Sequence, residues 1–164
     1  MENLQREMSQ FWEDKFIIHI PSEDLVRDGF KIDDANCMSR IGIPSFAAPH
    51  ISFIYPFSVD RDKVIIGENQ YELPITYIKL DGSVMSDCGD AGNLYAAPSM
   101  LIFIKCLVEF AKMVDKAIEI NGETAFTERM VPPFLVENFV SKTDKMIAPS
   151  KGQSFWRHEC AAFR

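Results

Sequence analysis

The sequence predicts an α+β fold, an antiparallel β-sheet meander flanked by helices, and three observations carry that expectation. Between residues 51 and 87, short runs rich in Ile, Tyr, Phe and Val follow one another, broken by Pro56, "GEN", Pro74 and Asp81–Gly82; this is the punctuation of consecutive antiparallel strands. From Ser99 onward a long stretch has apolar residues at helical spacing, which marks a core helix. The order is a helix, then strands, then helices, and this segregation excludes the β-α-β alternation that builds a parallel sheet.

The elements follow in order. "ENLQREMSQFWEDK" places Leu4, Met8, Phe11 and Trp12 at helical spacing, so a first amphipathic helix docks by that face. "FIIHIPSEDL" reads as a short extended segment stopped by Pro21, and "DDANCMSRIGIP" as a short helix capped by Asp33 or Asp34 and closed by Gly42 and Pro44. "HISFIYPF" and "KVIIGENQYELPITYIKLDGSVMSD" supply the strands, and in the latter Asp81 and Gly82 shape a hairpin turn. "CGDAGNLYAAPS" is then a polar connection whose Pro98 and Ser99 start the next helix. That helix carries Met100, Phe103, Ile104, Leu107, Phe110, Ala111, Val114 and Ala117 along one side and stops at Asn121–Gly122; it is apolar over much of its circumference and should lie against the sheet. "FLVENFVSKTDKMI" reads as a further helix, and "SFWRHECAAFR" as a short terminal one anchored by Phe155 and Trp156.

At 164 residues and 47% hydrophobic, the chain suits one core, so residues 1–164 are read as a single domain. The N-terminus is charged throughout and no apolar run approaches the roughly 20 residues of a membrane helix; a soluble cytoplasmic protein without membrane contact is expected. Cys37, Cys88, Cys106 and Cys160 contain no C-x-x-C pair, which fits free thiols in a reducing compartment. The net charge of −7 and pI near 4.9 exclude sequence-independent nucleic-acid binding, which rests on Lys and Arg neutralising phosphates. An acidic chain attracts basic proteins instead. The acids gather in "EDLVRDGFKIDD" and "DGSVMSDCGD", whereas the tail from Lys142 is mildly basic.

The chemistry-bearing residues fit no reactive motif. Counted from Asp87 or Asp90, the acidic loop lacks the carboxylate spacing of a calcium-binding loop. A nucleophile at Cys88 needs a histidine base, and the spacing selects none of His19, His50 and His158; a small buried or half-buried thiol is the plainer reading. "RHEC" has neither the H-x-E nor the later P-C-x-x-C of a zinc deaminase. Phosphate-cradling and nucleophile-elbow motifs are missing as well. No catalytic residue, metal ligand or cofactor is therefore expected, and the balance moves toward a protein that works by binding.

The order of "QFWEDK", "FIIHIPSEDL", "MSRIGIPSF", "ISFIYPF", "YIKLDGSVMSD" and the terminal "SFW" resembles the SUKH superfamily, and within it the branch of bacterial immunity proteins labelled SUKH-4. The Gly42–Ile43–Pro44 step and the "LDGSV" hairpin are its most specific features; "AAPS" departs from the polar Asn/Ser start of the family's core helix, and Gly122 to Ile147 lies outside the resemblance. The resemblance implies an immunity protein that binds and neutralises a cognate bacterial toxin, a nuclease or nucleic-acid deaminase for instance, by occluding it and without catalysis. An acidic protein can be steered to the basic cleft of such a toxin. Within that reading the contact surface is Asp87, Asp90 and Asn93 with Tyr95 as aromatic anchor, and in second place the segment from Glu23 to Asp34 with Glu23, Asp24 and Asp28. The rivals are a small enzyme using Cys88, Asp87 and a distant histidine, and a scaffold or regulatory module of the same fold.

Overall fold

The apolar spacing near the N-terminus becomes helix α1 (Glu2–Phe11), which buries Leu4 and Met8. Trp12 follows, buried, with its indole N–H donating to the Phe46 carbonyl at 2.9 Å. The computed structural model describes residues 2–147 and 153–163. Strand β1 is only Ile17–Ile18, and Pro21 does more than stop it: Pro21 holds the N-cap position of a helix, α2 (Ser22–Asp28), that the sequence reading missed. A fixed φ suits proline to the start of a helix, so the same residue can end one element and begin another.

Helix α3 (Ile32–Ile41) is present, but neither Asp33 nor Asp34 caps it; Lys31 holds the N-cap position and both aspartates fall in the first turn. Asp34 is turned inward and caps a different helix. Its Oδ1 accepts from the Met100 N–H at 2.8 Å and its Oδ2 from the Tyr77 hydroxyl at 2.8 Å. The Tyr77 oxygen in turn accepts from the Lys31 N–H at 3.0 Å. One buried carboxylate thus ties α3 to the sheet and to the core helix, and its desolvation is offset by two donors.

After β2 (Ile43–Pro44), which pairs with β1, the sheet is built from β3 (Phe46–Ala47), β4 (Ile51–Val59), β5 (Lys63–Glu68), β6 (Pro74–Ile78), β7 (Val84–Asp87) and β8 (Asn93–Ala97). Its order is the chain order and each neighbouring pair is antiparallel. Register shifts interrupt β4–β5, β5–β6 and β7–β8, and such irregularities add twist and help the sheet curl. The expected meander is thus observed, with one correction: part of the polar connection after Cys88 is strand β8, whose Leu94, Tyr95, Ala96 and Ala97 are all buried. A short strand buried on both faces has no alternating pattern to reveal it.

The Asp81–Gly82 turn is where it was expected. Ile78 and Ser83 pair across it, the Asp81 carboxylate accepts from both the N–H and the hydroxyl of Ser83, and Gly82 sits at φ +82°, a left-handed conformation that glycine adopts without strain.

Helix α4 (Met100–Asn121) starts as predicted, with the Ser99 hydroxyl accepting from the Ile102 N–H at 3.3 Å. Phe103 meets Phe53 of β4 edge-on, so this helix lies against the sheet. Helix α5 (Pro133–Ile147) packs on α4 through Phe139 and Phe110, and α6 (Phe155–Cys160) inserts Phe155 and Trp156, both fully buried. Trp156 contacts Phe103, Phe110 and Phe139 and donates its indole N–H to the Ala96 carbonyl at 2.8 Å. Each such buried side chain stabilises by about 1.5–3 kcal/mol, so α6 is held mainly by its aromatic pair. Among the described residues, no helix is long and apolar enough to cross a membrane.

Candidate functional site

The turn that begins β7 and the loop that follows it point to opposite ends of the sheet, and the two acidic segments divide between them. At the turn end, Gly29 lies against the Lys79 side chain, which places α2 and its Glu23, Asp24 and Asp28 there. Glu23 is exposed; Asp24 is half-buried and paired with Arg27 at 2.9 Å, and Asp28 is half-buried. At the other end, the Asp87 carboxylate accepts from the Gly89 N–H at 2.9 Å and the Cys88 N–H donates to the Gly92 carbonyl at 2.9 Å, closing a tight loop. Gly89 at φ +61° and Gly92 at φ +75° are the residues that let the backbone turn back so quickly. Asp90 and Asn93 are exposed, and Asp87 is half-buried.

Tyr95 does not join them. It is 5% exposed, its burial raises its hydroxyl above the ordinary tyrosine value, and its N–H donates to the Gln153 carbonyl at 3.2 Å. Tyr95 is thus enclosed in the core and not displayed on the surface where it was expected. Tyr71, on the β5–β6 loop, is 53% exposed. Asn69 joins that loop to the first by donating to the Ser86 hydroxyl at 3.0 Å and to the Asp87 carbonyl. This end of the sheet therefore carries Glu68, Glu72, Asp87 and Asp90 around an exposed tyrosine. Between Lys63 and Lys105 in the sequence the single cation is Lys79, at the opposite end, but Arg129 comes in from later in the chain and lines a groove with Gln70. The exposure of Tyr71 was not legible in the sequence, because "ENQYEL" reads as strand punctuation.

Beneath the same loop lies a second group of residues. The Cys88 Sγ, a His158 ring nitrogen and a Glu159 carboxylate oxygen all lie within 4.8 Å of one another. The fold thus selects His158 from three histidines that spacing could not separate. Cys88 is 7% exposed and Glu159 3% exposed, while His158 is half-buried. Burial pushes the Cys88 thiol above its ordinary value; its contact with Ser86 at 3.8 Å opposes this, and Glu159 and Asp87 reinforce it. Burial also raises the Glu159 carboxyl to about 7. Gln70 donates to Glu159 Oε2 at 2.9 Å, and Oε1 has no hydrogen-bond partner among the described residues. A groove of about 140 Å³, lined in part by His50, Gln70, Arg129 and Phe163, has Glu159 in its wall but not Cys88.

Comparison of the chain with protein families, curated proteins and solved structures finds no match.

Proposed function

We propose that this protein is an immunity protein of the SUKH type, which binds a basic bacterial toxin and occludes it without chemistry of its own. The observation that carries the reading is the acidic sheet end, with Asp87, Asp90, Glu68 and Glu72 around the exposed Tyr71. A surplus of negative charge at this end, where Arg129 of the neighbouring groove is the cation nearby, steers an oppositely charged partner and raises its capture rate by roughly 10- to 1,000-fold at low salt. The exposed Tyr71 ring at the same end then supplies contact area that charge alone does not. The order of helix, antiparallel meander and helices is compatible with the resemblance.

The test is rescue. The chain is co-expressed with the toxin domain encoded beside it in a susceptible bacterium, survivors are counted, and the complex is isolated by size exclusion. Asp87→Lys with Asp90→Lys is expected to slow association and flatten its salt dependence. Unchanged capture after that reversal removes this surface, and affinity of the wild type for nucleic acid removes the class.

The enzyme reading gains one observation, the nearness of His158 to Cys88. Two others oppose it: the thiol is almost fully enclosed and its environment favours the protonated form, whereas a cysteine nucleophile acts as an accessible thiolate. Cys88→Ala should leave toxin capture intact; loss of a hydrolytic or transfer activity in that variant would favour the enzyme.

A further inference from the structure

The trio beneath the acidic loop goes beyond partner capture. We propose that Cys88, His158 and Glu159 form a site for a single divalent transition metal of the zinc class, which clips helix α6 to the loop at the end of β7. Three facts of geometry carry this.

First, one sulfur, one nitrogen and one oxygen donor converge from two elements far apart in sequence, all within 4.8 Å. A tetrahedral ion with bonds of about 2.0–2.3 Å holds its donors roughly 3.3–3.6 Å apart. The trio therefore needs to close by about 1 Å, within reach of small side-chain rotations. Second, Glu159 is 3% exposed, yet its Oε1 has no hydrogen-bond partner among the described residues. Buried carboxylates are ordinarily paired or coordinate a cation, and here the unpartnered carboxylate faces a thiol and an imidazole. Third, a supporting shell is already in place. Gln70 donates to Glu159 Oε2 at 2.9 Å and fixes the carboxylate. The Ser86 hydroxyl lies 3.8 Å from the Cys88 sulfur and accepts from Asn69 Nδ2 at 3.0 Å. That hydroxyl accepts from the Cys88 thiol, and once the thiol is deprotonated its own rotatable proton can turn toward the thiolate. Outer partners of this kind orient metal ligands.

The donor set chooses the class of ion. A thiolate with an imidazole suits zinc and its neighbours, and calcium or magnesium, which take oxygen ligands, are excluded. On binding, the Cys88 thiol releases its proton to solvent and Glu159 coordinates as the carboxylate. The fourth position falls to water or an outside ligand, reached from the side where His158 is half-exposed.

The experiment uses the full chain, stripped with chelator, folded by circular dichroism, and titrated with Co²⁺ under reducing conditions. One Co²⁺ per chain is expected, with a thiolate-to-cobalt charge-transfer band in the near ultraviolet and the strong visible absorption of a tetrahedral site, both displaced by Zn²⁺. Cys88→Ala should abolish the charge-transfer band and Cys37→Ala leave it unchanged. His158→Gln, at a half-exposed position that tolerates the change, should lower Co²⁺ affinity at least tenfold, and Gln70→Ala should lower it by about 10- to 100-fold. A folded wild type without a thiolate band, a band that survives Cys88→Ala, or a Co²⁺ affinity unmoved by His158→Gln would each overturn the proposal. None of these readouts depends on a toxin, so the site and the immunity reading stand or fall separately.

Discussion

Replacing Asp34 by alanine should be among the most damaging single changes on the α3 side of the molecule, and its cost can be worked from two bonds. Asp34 is 5% exposed, accepts from the Met100 N–H at 2.8 Å and from the Tyr77 hydroxyl at 2.8 Å, and so serves the first turn of α4 and the centre of the sheet at once. Hydrogen bonds to a charged group each contribute about 1.5–3 kcal/mol, and the donors left behind are buried. Asp34→Ala should therefore cost about 3–6 kcal/mol, a large share of the roughly 5–15 kcal/mol that holds a domain folded. Asp34→Asn keeps one acceptor and should cost about half as much. Tyr77→Phe also strands the Lys31 N–H, which the Tyr77 oxygen accepts at 3.0 Å, and the two single changes should couple by about 0.5–3 kcal/mol in a double-mutant cycle. Urea unfolding followed by circular dichroism gives each value. A loss below about 1 kcal/mol for Asp34→Ala at an unchanged m-value would refute the account of Asp34 as the joint between α3, β6 and α4.

Three further outcomes are expected. In chelator-treated protein, Glu159 holds its proton to about pH 7 when folded but releases it near its ordinary value of 4.5 when unfolded; stability therefore falls as pH rises through that window, by about 3 kcal/mol from this group, and levels off above it. Glu159→Gln should flatten that slope in urea titrations between pH 5 and 8, and a variant with the wild-type slope would contradict the burial argument. Trp156→Ala should cost about 3–5 kcal/mol, and Trp156→Phe less, because the ring contacts largely survive while the bond to Ala96 is lost; thermal unfolding ranks the two. Tyr71→Ala, at a 53% exposed position, should change stability by no more than about 0.5 kcal/mol yet weaken capture of a toxin partner at least tenfold in calorimetry.

What could be read from the sequence was local chemistry written over enough residues. Ser99 announced α4 because its cap and its apolar side chains belong to one continuous stretch, and Asp81–Gly82 announced a turn because both halves of the hairpin flank it. Helix α2 was hidden by its seven-residue length and by a proline that reads equally as a stop, and β8 by burial on both faces. Asp34 misled because its partner helix lies far along the chain while a nearer helix offers a plausible N-terminus. The acidic loop was legible as composition; its aromatic partner was not, since Tyr71 is brought there by the Asn69 bonds to Ser86 and Asp87. Cys88 and His158 could be named singly, but their meeting with Glu159 depends on α6 docking against β8, which no spacing rule encodes.

The two margins of the sheet are treated differently. At one side β3 pairs only with Ile51 and Ser52, so the rest of β4, with its exposed Ile54, Tyr55 and Val59, has no strand beside it there among the described residues; at the other, β8 has its Tyr95 N–H bound by the Gln153 carbonyl and its Ala96 carbonyl by Trp156. Long unpaired margins invite a strand from another molecule, whether from a partner or from a second copy during aggregation. At β8 that mode of attachment is closed by the protein's own C-terminal segment. An added strand is accordingly refused at β8, and the margin left to it runs along β4.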